Sequence, residues 1–167
     1  MLKEKMYFGI TGGVYRITRK LRSLGMKVTT GNILKGVVKA VKTGAVNDEI
    51  DIELKGGLKL AAIVTCKSTE TLGLKPGREV LAMVKGVNVL LTRDMEDYVL
   101  SSRNMLPGKV KAVKKGEIMA SIAVELDNGD SLTSVCTVDS ADEAGIAEGV
   151  RVQAAIKAPY VILAAKK

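Results

Sequence analysis

Three polar clusters recur in this chain at one spacing. Thr29-Thr30-Gly31-Asn32 is matched by Ser101-Ser102-Arg103-Asn104, the segment Thr65 to Ser68 by Thr137 to Ser140, and Lys85-Gly86 by Lys157-Ala158, each 72 positions further on. Hydroxyls, backbone N–H groups at a helix start, and Lys or Arg supply many donors and positive charge with few competing acceptors. A buried tetrahedral oxyanion requires that combination. No paired carboxylates accompany the clusters, and the chain has no His, the commonest general base and a frequent metal ligand. The residue types therefore point to binding and away from an enzyme. Taken singly, each position has an ordinary structural reading: Ser68 and Ser140 as helix N-caps, Thr65 and Thr137 as strand threonines, the turn lysines as solvated charges. Their joint recurrence favours a site.

The elements that must position these residues repeat in the same register. The shift of 72 lays residues 32–91 on 104–163 without a gap, matching Gly36 to Gly108, Lys39-Ala40-Val41-Lys42 to Lys111-Ala112-Val113-Lys114, and Gly77 to Gly149. A register kept over so many positions means that every turn and strand has kept its length, so both copies share one small fold. Ile50, Ile52 and Leu54 alternate with Glu49, Asp51 and Glu53. In the second copy Ile118, Ala120, Ile122, Val124 and Leu126 alternate with Met119, Ser121, Ala123 and Glu125. Gly56-Gly57 and Asp127-Asn128-Gly129 mark hairpin turns into strands at 58–65 and 130–137. Short helices are expected at 68–72 and 140–144, each started by its serine and stopped by Gly73 or Gly145. Two further strands close each unit, at 79–84 and 87–92 in the first and at 151–156 and 160–164 in the second. The expected fold is mainly all-β: two tandem OB-like five-stranded barrels, each with one short helix. Residues 29–92 and 101–167 are then the modules, 93–100 a polar linker, and 1–28 a basic leader outside the repeat.

Composition narrows the reading. Each copy lies near the lower size limit for an independent core and needs company. Aromatic content is only 3%, so the cores are built from Val, Ile, Leu, Ala and Met. The net charge of +8 is concentrated in the leader, where seven Lys and Arg face Glu4 alone. Any attraction to nucleic acid would belong to that segment and not to the repeats. Within it, residues 16–24 are compatible with a short basic helix carrying Ile17, Leu21 and Leu24 on one face, a marginal signal at that length beside which disorder or simple packing is the leading reading and partner docking or nucleic-acid contact stays open; Gly9, Gly12 and Gly13 lack the lysine spacing of a phosphate loop. Cys66 and Cys136 are not repeat equivalents and have no metal-ligand spacing, so they read as reduced thiols in apolar strands. No apolar run is long enough to span a membrane and the start carries no signal-peptide pattern, so a cytoplasmic location is expected, with no membrane partner.

The string Ser101-Ser102-Arg103-Asn104-Met105-Leu106-Pro107-Gly108-Lys109-Val110 resembles the S-A-R-N-x-L-x-G-x-V opening of the molybdate-binding Mop modules. These occur in molbindins, in the molybdate-responsive transcription regulator and at the end of molybdate-transporter ATPases. The glycine-punctuated segment Thr69 to Gly77 and the closing Lys157-Ala158-Pro159-Tyr160-Val161 fit as well, and the resemblance covers residues 29–166. It implies an OB-like fold, three chains assembled into a six-module ring, and molybdate or tungstate held between modules as ligand, with no further cofactor and no directly ligated metal cation. Carried over position by position, it implies contacts from Ser101, Ser102, Arg103, Lys157 and Ala158, with Thr137 and Ser140, in the second module. The first module offers Thr29, Thr30, Lys85 and Gly86, with Thr65 and Ser68. Gly31 departs from the pattern where the motif has arginine, so the two modules are expected to form unequal sites.

The leading expectation is a cytoplasmic molybdate or tungstate storage protein. The alternative is a sensing or docking protein acting through the basic leader, which is too short for a complete winged helix-turn-helix. Single-strand nucleic-acid binding is disfavoured, because only Tyr98 and Tyr160 lie outside the leader to stack on bases.

Overall fold

A computed structural model describes residues 28–167; the candidate helical segment at 16–24 and nearly all of the unassigned leader lie outside the described residues. The chain runs β1 (Asn32–Lys42), β2 (Asn47–Leu54), β3 (Lys59–Thr65), α1 (Cys66–Leu72), β4 (Glu79–Val84) and β5 (Leu90–Thr92). It then repeats as β6 (Asn104–Lys115), β7 (Met119–Leu126), β8 (Ser131–Thr137), α2 (Val138–Glu143), β9 (Arg151–Ile156) and β10 (Ile162–Ala164).

The period-two pattern fixes which face of each strand is buried. On β2 the side chains of Ile50, Ile52 and Leu54 are buried and those of Glu49, Asp51 and Glu53 lie on the outer face; on β7, Ala120, Ile122, Val124 and Leu126 point inward. Ile118 stands just before β7 and is exposed, so it is not part of that inward row. Each fully buried Ile or Leu is worth about 1.5–3 kcal/mol of transfer free energy. Both long first strands bend at a bulge, where pairing shifts register between Val38 and Ala40 and between Val110 and Ala112, within the repeated Lys-Ala-Val-Lys blocks. The recurrent glycine before each bulge has a packing cause. A Cβ on Gly108 would come within 2.6 Å of the Glu125 carbonyl oxygen, and one on Gly36 within 2.4 Å of Ile52 Cγ2.

The helices begin two residues earlier than expected, and their caps differ from the sequence reading. Thr65 and Thr137, in extended conformation, are the N-caps: each side-chain oxygen accepts from the backbone N–H of Ser68 or Ser140. The serines sit inside the first turn. Either residue of a Thr-x-x-Ser pair suits the cap, and the extended backbone at the threonine decides between them.

The largest departure concerns how the units close. The sheets have the orders β10-β4-β1-β2-β3 and β5-β9-β6-β7-β8, so each module's last strand completes the other module's sheet. Leu90, Leu91 and Thr92 pair with Ala155, Ala154 and Gln153, while Ile162, Leu163 and Ala164 pair with Met83, Ala82 and Leu81. A hairpin returning on β4 would need a tight reversal at Lys85. That residue is instead extended and leads into a 3₁₀ turn over Gly86–Asn88 lying on β8, and the corresponding turn Ala158–Tyr160 lies on β3. Alternation reports which side of a strand faces the core but not whose sheet it joins, and the two copies offer near-identical edges. The buried side chains of both modules accordingly form one continuous core from Leu34 to Leu163, which meets the expectation that each copy needs company.

Candidate functional site

Strand pairing gathers the clusters within each module. On β1 and β4, Asn32 pairs with Val84, setting Thr29-Thr30-Gly31 beside Lys85-Gly86; on β6 and β9, Asn104 pairs with Ile156, setting Ser101-Ser102-Arg103 beside Lys157-Ala158. Each gathering then lies against an edge strand of the other module. Asn104 donates from Nδ2 to the Ala61 carbonyl (2.9 Å) and accepts the Ala61 N–H at Oδ1 (2.6 Å); Asn32 does the same with Thr133, at 2.7 Å for both bonds. The amides act as a one-residue continuation of the sheet. They satisfy edge groups of β3 and β8 that no neighbouring strand reaches.

Ala61, Ile63 and Thr65 share the outer face of β3 by alternation, opposite Asp51, Glu49 and Asn47 on β2. The second module's Asn104 bonds to the free edge of β3 and its Ala158–Tyr160 turn lies close to the same strand, and Thr65 lies two residues, roughly 7 Å, beyond Ile63 along it. The cap pair Thr65–Ser68 of one module therefore follows the edge strand that Asn104 and the Ala158–Tyr160 turn of the other module contact. By the same symmetry Thr137–Ser140 follows Thr133 and Val135 on β8, on which Gly86 sits so closely that a Cβ would come 2.8 Å from Val135 Cγ2.

The hydroxyls are held in matching ways. Thr65 Oγ1 lies 2.8 Å from Ser68 Oγ, and Thr137 Oγ1 donates to Ser140 Oγ at 2.8 Å. The N–H groups of Ser68 and Ser140 are taken by the caps, so at these helix starts the hydroxyls, not those two amides, are what a ligand would meet. Thr30 Oγ1 donates to the Val84 carbonyl at 2.6 Å and Ser102 Oγ to the Asn104 carbonyl at 3.1 Å, bracing the segments before β1 and β6. Thr29 and Ser101 are exposed.

Positive charge is distributed unequally. Lys85 and Lys157 are exposed, and no ion pair among the described residues engages either. Arg103 reaches across to the first module, where Nη2 donates to Glu49 Oε1 at 2.6 Å. Glu49 Oε1 also accepts from Lys42 Nζ at 2.8 Å, and Lys42 reaches Asp51 at 3.0 Å. Lys42 and then Arg103 hold the Glu49 carboxyl below the usual carboxylate range, and Glu49 raises Arg103 in turn. Beside Arg103 a groove of about 440 Å³ is lined by Lys39, Asp51, Glu53 and Lys59. At the related position Gly31, no atom of the described residues outside its chain neighbours comes within 4 Å of where its Cβ would stand, and Ser121 occupies the place of Glu49.

Outside these gatherings, the buried Asp48 accepts from the Gly44 N–H at 3.2 Å and from Cys66 Sγ at 3.3 Å. The Thr69 hydroxyl, then Cys66 and Gly44, hold its carboxyl below the ordinary value. Burial first, then Asp48, raises the Cys66 thiol; burial alone raises Cys136. Both cysteines are free and half-buried, and Cys66 opens α1 rather than lying in a strand. The linker residue Arg93 donates to the Gly145 carbonyl at the end of α2. Sequence reasoning placed Asn32 and Asn104 in the polar clusters without giving them their bridging role, and it missed Glu49. The asparagines carried a signal, their exact recurrence inside the polar clusters, whereas Glu49 read only as the polar half of an alternating strand.

The TOBE domain pattern matches this chain twice, over residues 29–91 and 100–163. The molybdenum-pterin-binding protein MopA of Rhodobacter capsulatus is 38% identical over 158 residues, covering 93% of this chain and 60% of MopA. The molybdenum transport protein ModE of Azotobacter vinelandii is 36% identical over 156 residues, covering 93% and 57% respectively. The chain thus spans about three fifths of the length of these two relatives. Among solved structures, the cytoplasmic molybdate-binding protein ModG, crystallised with molybdate bound, superposes with a TM-score of 0.82 at 45% identity, covering 84% of this chain and 100% of ModG. Two matched domains, one unbroken repeat and that superposition lead to one conclusion: the chain belongs to the TOBE domain family, as a tandem pair of its modules.

Proposed function

We propose that this chain binds molybdate, with tungstate as a near-identical ligand, and serves as a store for the oxyanion rather than as an enzyme. One observation carries the reading: the same set of hydroxyls, lysine and close-approaching backbone recurs at both module junctions, beside edge strands already satisfied by Asn32 and Asn104. The contacts assigned are Ser101, Ser102, Arg103, Lys157 and Ala158 together with the threonine–serine cap pairs Thr65–Ser68 and Thr137–Ser140, and Thr29, Thr30, Lys85 and Gly86 at the related junction. A dianion held there meets donors and two positive charges, Arg103 and Lys157, at the Arg103 junction but Lys85 alone at the Gly31 junction, so the first class is the tighter.

Sulfate has the same shape and charge, so discrimination against it rests on the longer bonds of the larger anion. Three chains form the assembly in this reading, with further contacts completed between subunits and the cytoplasm as its location. No helix among the described residues is long and apolar enough to cross a membrane.

Calorimetric titration of anion-stripped protein tests the reading, with molybdate, tungstate, sulfate and phosphate in parallel. Micromolar or tighter uptake of the first two, with sulfate rejected and more than one anion per chain, is the expected result. Absence of heat with all four would remove it.

A further inference from the structure

Glu49 is an acidic residue in direct contact with a cation assigned to an anion site, and the chemistry of oxyanion binding gives it no obvious place. Its contact with Arg103 has four features. The bond is single, from Nη2 to Oε1, rather than a two-pronged fork, and the arginine side chain remains 55% exposed, so the guanidinium is free to turn. Glu49 already has a second cation, Lys42 at 2.8 Å, so losing Arg103 would not strand a carboxylate without a partner. Arg103 adjoins the turn lysine Lys157 through the β6–β9 pairing, and Glu49 lies opposite Ile63 on the strand pair against which that turn rests. Finally, the related junction lacks both members at once: Gly31 stands for the arginine and Ser121 for the glutamate. No atom of the described residues outside its chain neighbours stands within 4 Å of a Cβ at Gly31, so packing against them does not account for the loss of the arginine. One junction has both residues and the other has neither.

We propose that Glu49 is an internal counter-ion for Arg103, occupying its guanidinium in the empty protein and giving it up to the incoming oxyanion while Lys42 remains with the carboxylate. The proposal rests on the oxyanion reading above and adds a positioning residue to it. A single-bonded carboxylate–guanidinium pair whose arginine is more than half exposed is weak, and a tetrahedral dianion brings twice the charge to the same donor, so the exchange favours the ligand. The cost is a modest loss of affinity. The gain is that the empty site does not present two bare cations to every passing anion.

The test is a set of molybdate titrations on the full chain. Glu49→Gln should bind molybdate about two- to fivefold tighter than wild type, the scale of one exposed ion pair. Lys42→Met, which leaves Glu49 with Arg103 alone, should bind more weakly, and that effect should vanish when Glu49→Gln is also present. Glu53→Gln, four residues along the same face and paired with Lys39, reports the effect of simply removing a negative charge and should shift affinity less than twofold. Non-additivity distinguishes a hand-over from a distant field, because two independent charge changes would add. If wild type binds and Glu49→Gln binds no tighter, or if Glu53→Gln tightens binding equally and the double variant is additive, the hand-over is wrong while the oxyanion reading stands. If wild type takes up no oxyanion, both fall together.

Discussion

The two modules share a backbone and differ in where they keep polar groups. In the first, Asp48, Cys66 and Thr69 form a polar knot at the start of α1; the second has Ala120, Val138 and Ala141 at those positions. The second keeps a buried Ser134, donating to the Val89 carbonyl at 2.6 Å, where the first has Ala62. At the junctions the difference runs the other way, since Arg103 belongs to the second module and its place in the first is Gly31. Duplicated units thus tolerate exchange of a hydrogen-bonded polar cluster for a packed apolar one of similar volume. Among the polar positions they keep identical are the asparagine bridges, which bond to the other module's edge strand, together with the cap pairs and the turn lysines.

The asparagines should break the comparison most severely. Asn104→Ala removes two buried bonds and leaves the Ala61 N–H and carbonyl unpaired, for an expected loss of about 2–4 kcal/mol of stability. Asn32→Ala acts on the less deeply buried Thr133 and should cost less, so the two denaturation midpoints should rank wild type, Asn32→Ala, Asn104→Ala. Equal losses would show that the junctions are equivalent despite their different burial. Next comes affinity. Arg103→Ala should weaken molybdate binding about tenfold at one class of site, leaving the Gly31 class untouched. Gly31→Arg should bring the classes together, seen as a biphasic isotherm becoming monophasic. An unchanged isotherm in both variants would detach the guanidinium from the site.

The smallest effect concerns Asp48, whose carboxyl is held low by the Thr69 hydroxyl first and then by Cys66 and Gly44. A depressed folded value means that the contribution is present above the ordinary carboxylate value and is lost as pH falls through the folded one. Wild type and Asp48→Ala should therefore differ in melting temperature near neutral pH, with the gap closing below about pH 4. A gap that persists in acid would assign the role to packing instead of charge.

Much of this architecture was legible in the residues. The alternation of Ile50, Ile52 and Leu54 and its counterpart on β7 told inside from outside, Gly73 and Gly145 marked where the helices stop, and the unbroken register announced one fold used twice. The cap assignment was not legible, because Thr65 and Ser68 are both competent and the backbone angle at Thr65 chooses. Nor was the destination of β5 and β10, since the edges of β4 and β9 are chemically alike and a short apolar strand suits either. Of the site, the hydroxyl and lysine clusters were visible as a recurrence. Glu49 was not, because its partner lies 54 positions away across a module junction.

The exchange of end strands also sets an order of events during synthesis. β4 must keep one edge open until residues 162–164 have been made, so the first module cannot finish folding when its own sequence has emerged from the ribosome. Contacts of such long sequence separation come late and lengthen the interval in which an unpaired edge is available to another nascent chain. A fold assembled from two small repeats in this way behaves kinetically as one long one, with its first half waiting on its second.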